Sequence, residues 1–280
     1  MRVAALGLGA MGLPMARRVA AAGHDLVGWD PSAARRAAAA GLTLDEDAAR
    51  GAEAVLLSLP DDAAVAGAAE TILAAGPASG AVVIDCSTVS PATPRRLAPR
   101  FADAGLAWID APVSGGPAGA AAGTLTVMAG AAPGALDRAR PILAAVAQRI
   151  VPVGGPGAGA VAKLVNNLLV AAHLMTAAEA LRIGRLAGVE TEALLAVVNG
   201  ASGRSAATEV NFPRWIVCGT FDSGFTAGLM RKDLRLAAAL AGEMGGTGPV
   251  SASVLAAWEA SPVGDGEDFN RVAAQVFGDG

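Results

Sequence analysis

The sequence predicts an α/β fold: a doubly wound, mostly parallel sheet followed by an all-helical second half. Three observations carry that expectation. Short apolar runs alternate with amphipathic, alanine-rich stretches through the first 150 or so residues. A glycine turn, Gly7-Leu8-Gly9-Ala10-Met11-Gly12, lies between the first apolar run and the first helical stretch. Beyond Gly154-Gly155-Pro156-Gly157 the strand pattern stops and only helical spacing remains. Strand–helix alternation of the first kind builds parallel sheets, because each crossover helix returns the chain to the same edge.

Taken in order, Arg2–Leu6 reads as a strand, Ala10–Ala22 as a helix, and Gly23 as its stop. Leu26–Asp30 is a second strand, followed by a helix ending at Gly41. Ala54–Leu59 and Ala81–Asp85 are continuous apolar runs bounded by turn residues, the pattern of strands buried on both faces. Ser90-Pro91 starts a helix, a cap followed by proline in the first turn. Leu106–Asp110, Thr124–Ala129 and Ile150–Val153 complete the strands. From Gly159 to Ala187 there is no proline, and Gly188 is the expected stop. Such a helix would be about 40 Å long, enough to join two domains. Further helices are expected over Thr191–Val198, Gly228–Ala241, Val250–Ala260 and Phe269–Phe277. The expected organisation is a dinucleotide-binding domain over 1–157, an interdomain helix over 158–187, and a helical domain for substrate and dimerisation over 188–280.

Composition limits the function classes. Apolar residues make up 53% and the mean hydropathy is +0.48. Yet the longest charge-free run, Ala111 to Leu136, is broken by six glycines and three prolines. It makes a poor membrane span, which needs about 20 mainly apolar residues. The N-terminus resembles a signal peptide in hydropathy, but it holds Gly7, Gly9 and Gly12 and runs into Arg17-Arg18. A soluble, cytoplasmic chain is expected. A net charge of −4 with no basic block argues against nucleic acid as a partner. Cys86 and Cys218 form no CxxC, and His24 and His173 are the only histidines, so no metal site is expected. There is no tyrosine to act as a proton donor.

Gly7, Gly9 and Gly12 follow a strand and open a helix. That spacing allows a tight turn, close approach of a pyrophosphate, and helix–strand packing, with the helix N-terminus facing the phosphates. Asp30 ends the second strand, at the distance expected for an acceptor of the ribose 2′-OH. Its charge would repel a 2′-phosphate and Pro31 supplies no cation, so NAD is favoured, with Arg35 and Arg36 leaving NADP possible. Asp110-Ala-Pro-Val-Ser114-Gly115-Gly116-Pro117 is a glycine turn after a strand. Its backbone N–H groups and the Ser114 hydroxyl could hold a carboxylate; an ordinary Gly/Pro turn is the alternative.

Only two of the 21 basic residues are lysines, Lys163 and Lys232. Arginine does not release its proton in a protein, whereas a buried lysine can. Lys163 stands in Gly157-Ala-Gly-Ala-Val-Ala-Lys-Leu-Val-Asn166-Asn167. On a helix Asn167 is one turn on, about 40° round, and His173 is about 80° off that face. Near a helix start and the ligand-binding end of a sheet, Lys163 could exchange a proton with a substrate hydroxyl while Asn167 orients it. The alternatives are a chance survivor of an arginine-rich composition, or a solvent-facing lysine. Lys232 precedes Asp233, and on its own that pair reads as a solvated ion pair.

Together these segments resemble the β-hydroxyacid dehydrogenase family, which includes 3-hydroxyisobutyrate dehydrogenase, tartronate semialdehyde reductase and, more distantly, 6-phosphogluconate dehydrogenase. The likeness runs end to end. It rests on Gly7–Ala16, on Asp110–Gly116 with Gly123–Gly130, on Gly157–Asn167, and on Lys232-Asp233-Leu234. The resemblance implies a Rossmann-type sheet, a long interdomain helix and a helical C-terminal domain that often dimerises, giving a homodimer or homotetramer. It implies Lys163 and Asn167 as the catalytic pair, and Ser114, Gly115 and Gly116 on the carboxylate of a small acid. Lys232 would sit by nicotinamide and substrate, and Leu59-Pro60 and Thr88 would line the cofactor beside Gly7, Gly9, Ala10, Met11, Gly12 and Asp30. Imine reductases share the scaffold but usually lack a lysine at the place of Lys163.

The expected activity is hydride transfer between NAD and a short 3-hydroxy acid, giving a semialdehyde. A reductase of glyoxylate, succinic semialdehyde or tartronate semialdehyde is the same-class alternative. A non-catalytic NAD-binding module is the more distant one.

Overall fold

The alternating runs of the first half become nine strands and their connecting helices in the computed structural model, which describes residues 1–278. In chain order these are β1 (Arg2–Leu6), α1 (Gly12–Ala21), β2 (Asp25–Trp29), α2 (Ala33–Ala38), β3 (Thr43–Leu44) and β4 (Ala54–Leu57). Then come α3 (Asp62–Ala75), β5 (Val82–Asp85), α4 (Ala92–Asp103), β6 (Ala107–Asp110), β7 (Val113–Ser114) and α5 (Gly116–Ala122). The sheet closes with β8 (Leu125–Ala131), α6 (Ala135–Val146) and β9 (Ala147–Gly154). Helices α7 (Ala158–Leu186), α8 (Thr191–Gly200), α9 (Ala227–Glu243), α10 (Pro249–Ala260) and α11 (Asn270–Gly278) follow, with a π-helix over Ala207–Ile216 between α8 and α9. The chain forms two compact units, Met1–Lys163 and Leu164–Gly280.

In the first unit β3, β2, β1, β4, β5 and β6 run parallel in that order. The chain leaves β1 toward β2 and β3, then returns to β4 on the other side. That reversal is the switch point beyond which doubly wound sheets bind ligands. The register aligns Trp29, Leu6, Leu57, Asp85 and Asp110 in one row across five strands. Each strand ends at this row, so the candidate cofactor segments all begin on one edge of the sheet. Alternate side chains feed a core on each face: Val3, Ala5 and Ile84 pack on one side, Ala4, Val55 and Val83 on the other.

The far edge is where the expected, mostly parallel sheet turns mixed. Strand β8 is antiparallel to β6 and β7, and β9 is parallel to β8. Ile109 pairs with Ala131 and Val113 with Val127, so β7 continues the line of β6 past Pro112. A two-residue continuation is too short to show a period in sequence, and β3 escaped prediction for the same reason.

In the second unit α7 contributes Ala171, Leu174, Met175, Ala178 and Leu181 to a core with Phe212, Met230, Leu234, Trp258 and Phe269. By length and composition α7 could cross a membrane, and 44% of its most apolar window is buried inside the protein. Within this unit the π-helix is the element that the helical spacing did not foresee. It contains Pro213, which reads as a helix break because proline offers no N–H and crowds the preceding turn.

Candidate active site

Strand β1 is followed by Gly7, whose φ of 91° only glycine adopts without strain. A Cβ on Gly7 would fall onto the carbonyl oxygen of Ser58, and one on Gly12 onto that of Gly7. The fold itself therefore demands glycine at both positions. Gly9 differs: a Cβ there would meet nothing nearer than the Arg35 guanidinium at 3.8 Å. Its glycine leaves a space that the protein does not fill. No side chain caps the N-terminus of α1, and its first turn holds no acid. A helix start with neither a capping side chain nor an acid, next to that space, suits a pyrophosphate. The residues present fit a dinucleotide.

Asp30 follows β2 and is 1% exposed. Its Oδ2 accepts the Leu8 N–H at 2.9 Å and its Oδ1 the Ser32 N–H at 2.8 Å. The carboxylate thus clasps the glycine turn, and its remaining acceptor capacity is what a ribose hydroxyl could use. Arg35 lies 3.5 Å from Asp30 Oδ2 with its side chain half exposed. Arg36 donates to the Asp30 and Pro31 carbonyls and stacks on Trp29. Leu59 and Pro60 follow β4, and Thr88 follows β5. These two loops are tied by the Leu59 N–H donating to Ser87 Oγ at 2.9 Å.

Ser114 lies in β7, paired with Thr126, and Gly115 and Gly116 lead into α5 with φ of 130° and 63°. The expected glycine turn is therefore also a helix start, with Pro117 in its first turn and no side-chain cap. Lys163, on α7, is 8% exposed, so the reading of a solvent-facing lysine falls.

One turn further along the same helix, Asn167 is 4% exposed. Its Nδ2 donates to Asp233 Oδ2 at 2.6 Å, and Asn166 Nδ2 donates to Asn167 Oδ1 at 3.0 Å. Lys232 Nζ lies 3.2 Å from Asp233 Oδ1. Asp233 is 2% exposed, so the expected solvated pair is instead a buried carboxylate joining Asn167 on α7 to Lys232 on α9. Sequence reasoning missed that role. The available signal was an acid within an apolar helix face, since buried carboxylates persist only when paired. His173 is exposed.

Asp85 and Asp110 are register partners at the ends of β5 and β6, and both are buried. Burial pushes the Asp85 carboxyl up to about 7, against the hydrogen bonds from Ser87, and the Asp110 and Asp62 carboxylates add to the rise. Burial likewise raises Asp110 to about 6, against the N–H groups of Gly157 and Ala160. Burial pushes the Cys86 thiol up as well, so it stays protonated. A carboxyl whose folded value is raised contributes stability below its unfolded value near 4, and loses it as pH climbs through the folded value. Between pH 5 and 8 the wild-type chain should therefore lose stability through Asp85, by a few kcal/mol. Asp85→Asn removes the ionisation, and the drop in Tm from pH 5 to pH 8 should shrink by roughly 5 °C. An unchanged drop in thermal melts would show that Asp85 titrates normally.

Residues 2–155 match the family of the NAD-binding domain of 6-phosphogluconate dehydrogenase. Residues 157–275 match the NAD-binding family of NADP-dependent 3-hydroxyisobutyrate dehydrogenase. The chain belongs to the β-hydroxyacid dehydrogenase family. It is an NAD(P)-dependent dehydrogenase of the 3-hydroxyisobutyrate dehydrogenase type. The NAD-dependent L-serine dehydrogenase of Pseudomonas aeruginosa is 38% identical over 250 residues, 84% of each chain. The 2-(hydroxymethyl)glutarate dehydrogenase of Eubacterium barkeri is 36% identical over 245 residues, 84% of this dehydrogenase and 81% of that one. The solved 3-hydroxyisobutyrate dehydrogenase of Mycobacterium tuberculosis with L-serine superposes with a TM-score of 0.90, at 33% identity and 98% coverage of both chains.

Proposed function

We propose that this dehydrogenase oxidises the primary alcohol of a short 3-hydroxy acid, HO–CH2–CH(R)–COO⁻, to the semialdehyde. The support is chemical. 3-Hydroxyisobutyrate, serine and 2-(hydroxymethyl)glutarate, the substrates named for its relatives, share a CH2OH group on the carbon that bears a carboxylate. A buried lysine in a chain without tyrosine carries the assignment. Lys163 takes the hydroxyl proton as the alcohol becomes a carbonyl, and returns it in reduction. Asn167, one turn on and fixed by Asp233, directs its amide along the same helix face. Ser114 and the N–H groups of Gly115 and Gly116 hold the carboxylate, and Lys232 adds a positive charge for substrate and cofactor. Bound nicotinamide supplies the acceptor for the hydride leaving the carbinol carbon. Leu59, Pro60 and Thr88 line its site beside Gly7, Gly9, Ala10, Met11, Gly12 and Asp30.

NAD is the preferred cofactor, because buried Asp30 places negative charge where a 2′-phosphate would lie and Pro31 offers no counter-charge. We also read the chain as a homo-oligomer. Val165, Leu169, Ile183 and Leu186 on α7 and Val197 on α8 are exposed apolar side chains, and exposed apolar patches mark surfaces of association. One preparation tests all three readings. Turnover of 3-hydroxyisobutyrate, serine, glycerate, 3-hydroxypropionate and threonate is measured with each cofactor, and the mass by light scattering. Tight cofactor binding with no turnover would favour a non-catalytic module. Equal kcat/KM with NADP would reject the cofactor preference, and a monomeric mass the oligomer.

A further inference from the structure

We propose that Asp110 is a positioning residue for the reaction: its carboxylate clasps the first turn of α7 and thereby fixes where Lys163 presents its amine. Asp110 ends β6 and is 2% exposed. Its Oδ1 accepts the Gly157 N–H at 2.8 Å and its Oδ2 the Ala160 N–H at 3.0 Å. These are N–H groups that the start of a helix leaves without an intrahelical partner. Gly159 and Ala160 stand four and three residues before Lys163, one turn below it on the same side of the helix. The carboxylate thus holds the turn from which the lysine projects.

The packing around the clasp allows one geometry. A Cβ on Gly130 would lie 2.6 Å from each Asp110 carboxylate oxygen and 2.7 Å from the Gly159 nitrogen. A Cβ on Gly159 would strike the carbonyl oxygens of Met128 and Asp110. Two glycines therefore bring β6, β8 and the start of α7 into contact at Asp110. The same residue begins the Asp110–Gly116 segment, so one side chain sets the lysine while its backbone leads directly to the proposed carboxylate loop. A helix start held only by water would let Lys163 drift, and a displacement near 1 Å at a reacting group costs on the order of 10²-fold in rate.

The assignment rests on Lys163 as the proton-transfer residue, and a double-variant cycle separates the two claims. Asp110→Asn keeps the size but turns an NH2 toward one of the two N–H donors. In the NAD-loaded enzyme we expect kcat for the best hydroxy acid to fall roughly 10–100-fold. KM and the NAD Kd should stay within about threefold, because a positioning defect acts on the chemical step. In a Lys163→Ala background the same change should cost nothing further, since residues acting as a unit are non-additive. A kcat within twofold of wild type, or an equal loss in both backgrounds, would overturn the role of Asp110. A Lys163→Ala variant with normal kcat would instead overturn the proton-transfer assignment. Should Asp110→Asn fail to fold, amide exchange in the wild-type holoenzyme carries the test. Gly157 and Ala160 amides exchanging as slowly as the β6 ladder uphold the clasp, and exchange at loop rates refutes it.

Discussion

Replacing Lys163 by alanine is expected to lower kcat by about 10²- to 10⁴-fold, the range for losing a positioned acid–base group. The NAD Kd should hold within about threefold, because the dinucleotide site we propose, the glycine turn and the start of α1, does not include the lysine. Lys163→Arg sharpens the result. Arginine keeps the positive charge and much of the length but does not release a proton. If Lys163 only attracts the substrate, the arginine variant should recover most of the activity. If it moves the hydroxyl proton, arginine should be nearly as poor as alanine. Stopped-flow absorbance of reduced cofactor in a single turnover reads the chemical step directly. Wild-type rates in either variant would falsify the mechanism. Burial makes the effect large: at 8% exposure, water has little room to replace the amine.

The second large effect separates two glycines of one turn. Gly9→Ala adds a methyl to a space bounded only by Arg35 at 3.8 Å. The fold tolerates it, so Tm should move by no more than about 2 °C. On the proposed site the methyl stands in the approach of the pyrophosphate, so the NAD Kd should rise about tenfold or more, at least 1.4 kcal/mol. Gly12→Ala drives a methyl into the Gly7 carbonyl and forces the turn apart. That overpacking should cost about 1–3 kcal/mol, lowering Tm by roughly 5 °C and abolishing NAD binding together with it. Titration calorimetry and thermal melts on both variants decide the matter. Equal loss of stability would mean that Gly9 serves packing rather than ligand approach.

Most of the sheet was legible because continuous apolar runs between glycine turns report strands buried on both faces, and β1, β2, β4, β5 and β6 lie where those runs do. The long helix was legible for a negative reason, the lack of proline from Gly159 onward, and α7 spans Ala158–Leu186. Elements of two residues, such as β3 and β7, carry no period. The π-helix around Pro213 violates the rule by which helices are recognised. At the candidate site, the rarity of lysine pointed to Lys163, and the spacing of glycines to the dinucleotide turn. Asp110 and Asp233 were visible only as members of motifs, because nothing in a linear chain shows which amide or ammonium a carboxylate will meet.

By itself the sequence determined the parallel core of the sheet, the glycine turn, and the placing of Lys163 and Asn167 one turn apart, since these depend on local spacing and backbone preference. Tertiary structure alone decided that Gly9, unlike Gly7 and Gly12, leaves space the protein does not use. It also decided that Asp233 is buried against Asn167 and that Asp110 closes the start of α7. The physical reason is that burial and hydrogen-bond partnership arise between residues 47 and 66 positions apart, and strand register and helix packing bring such residues together only once the chain has folded.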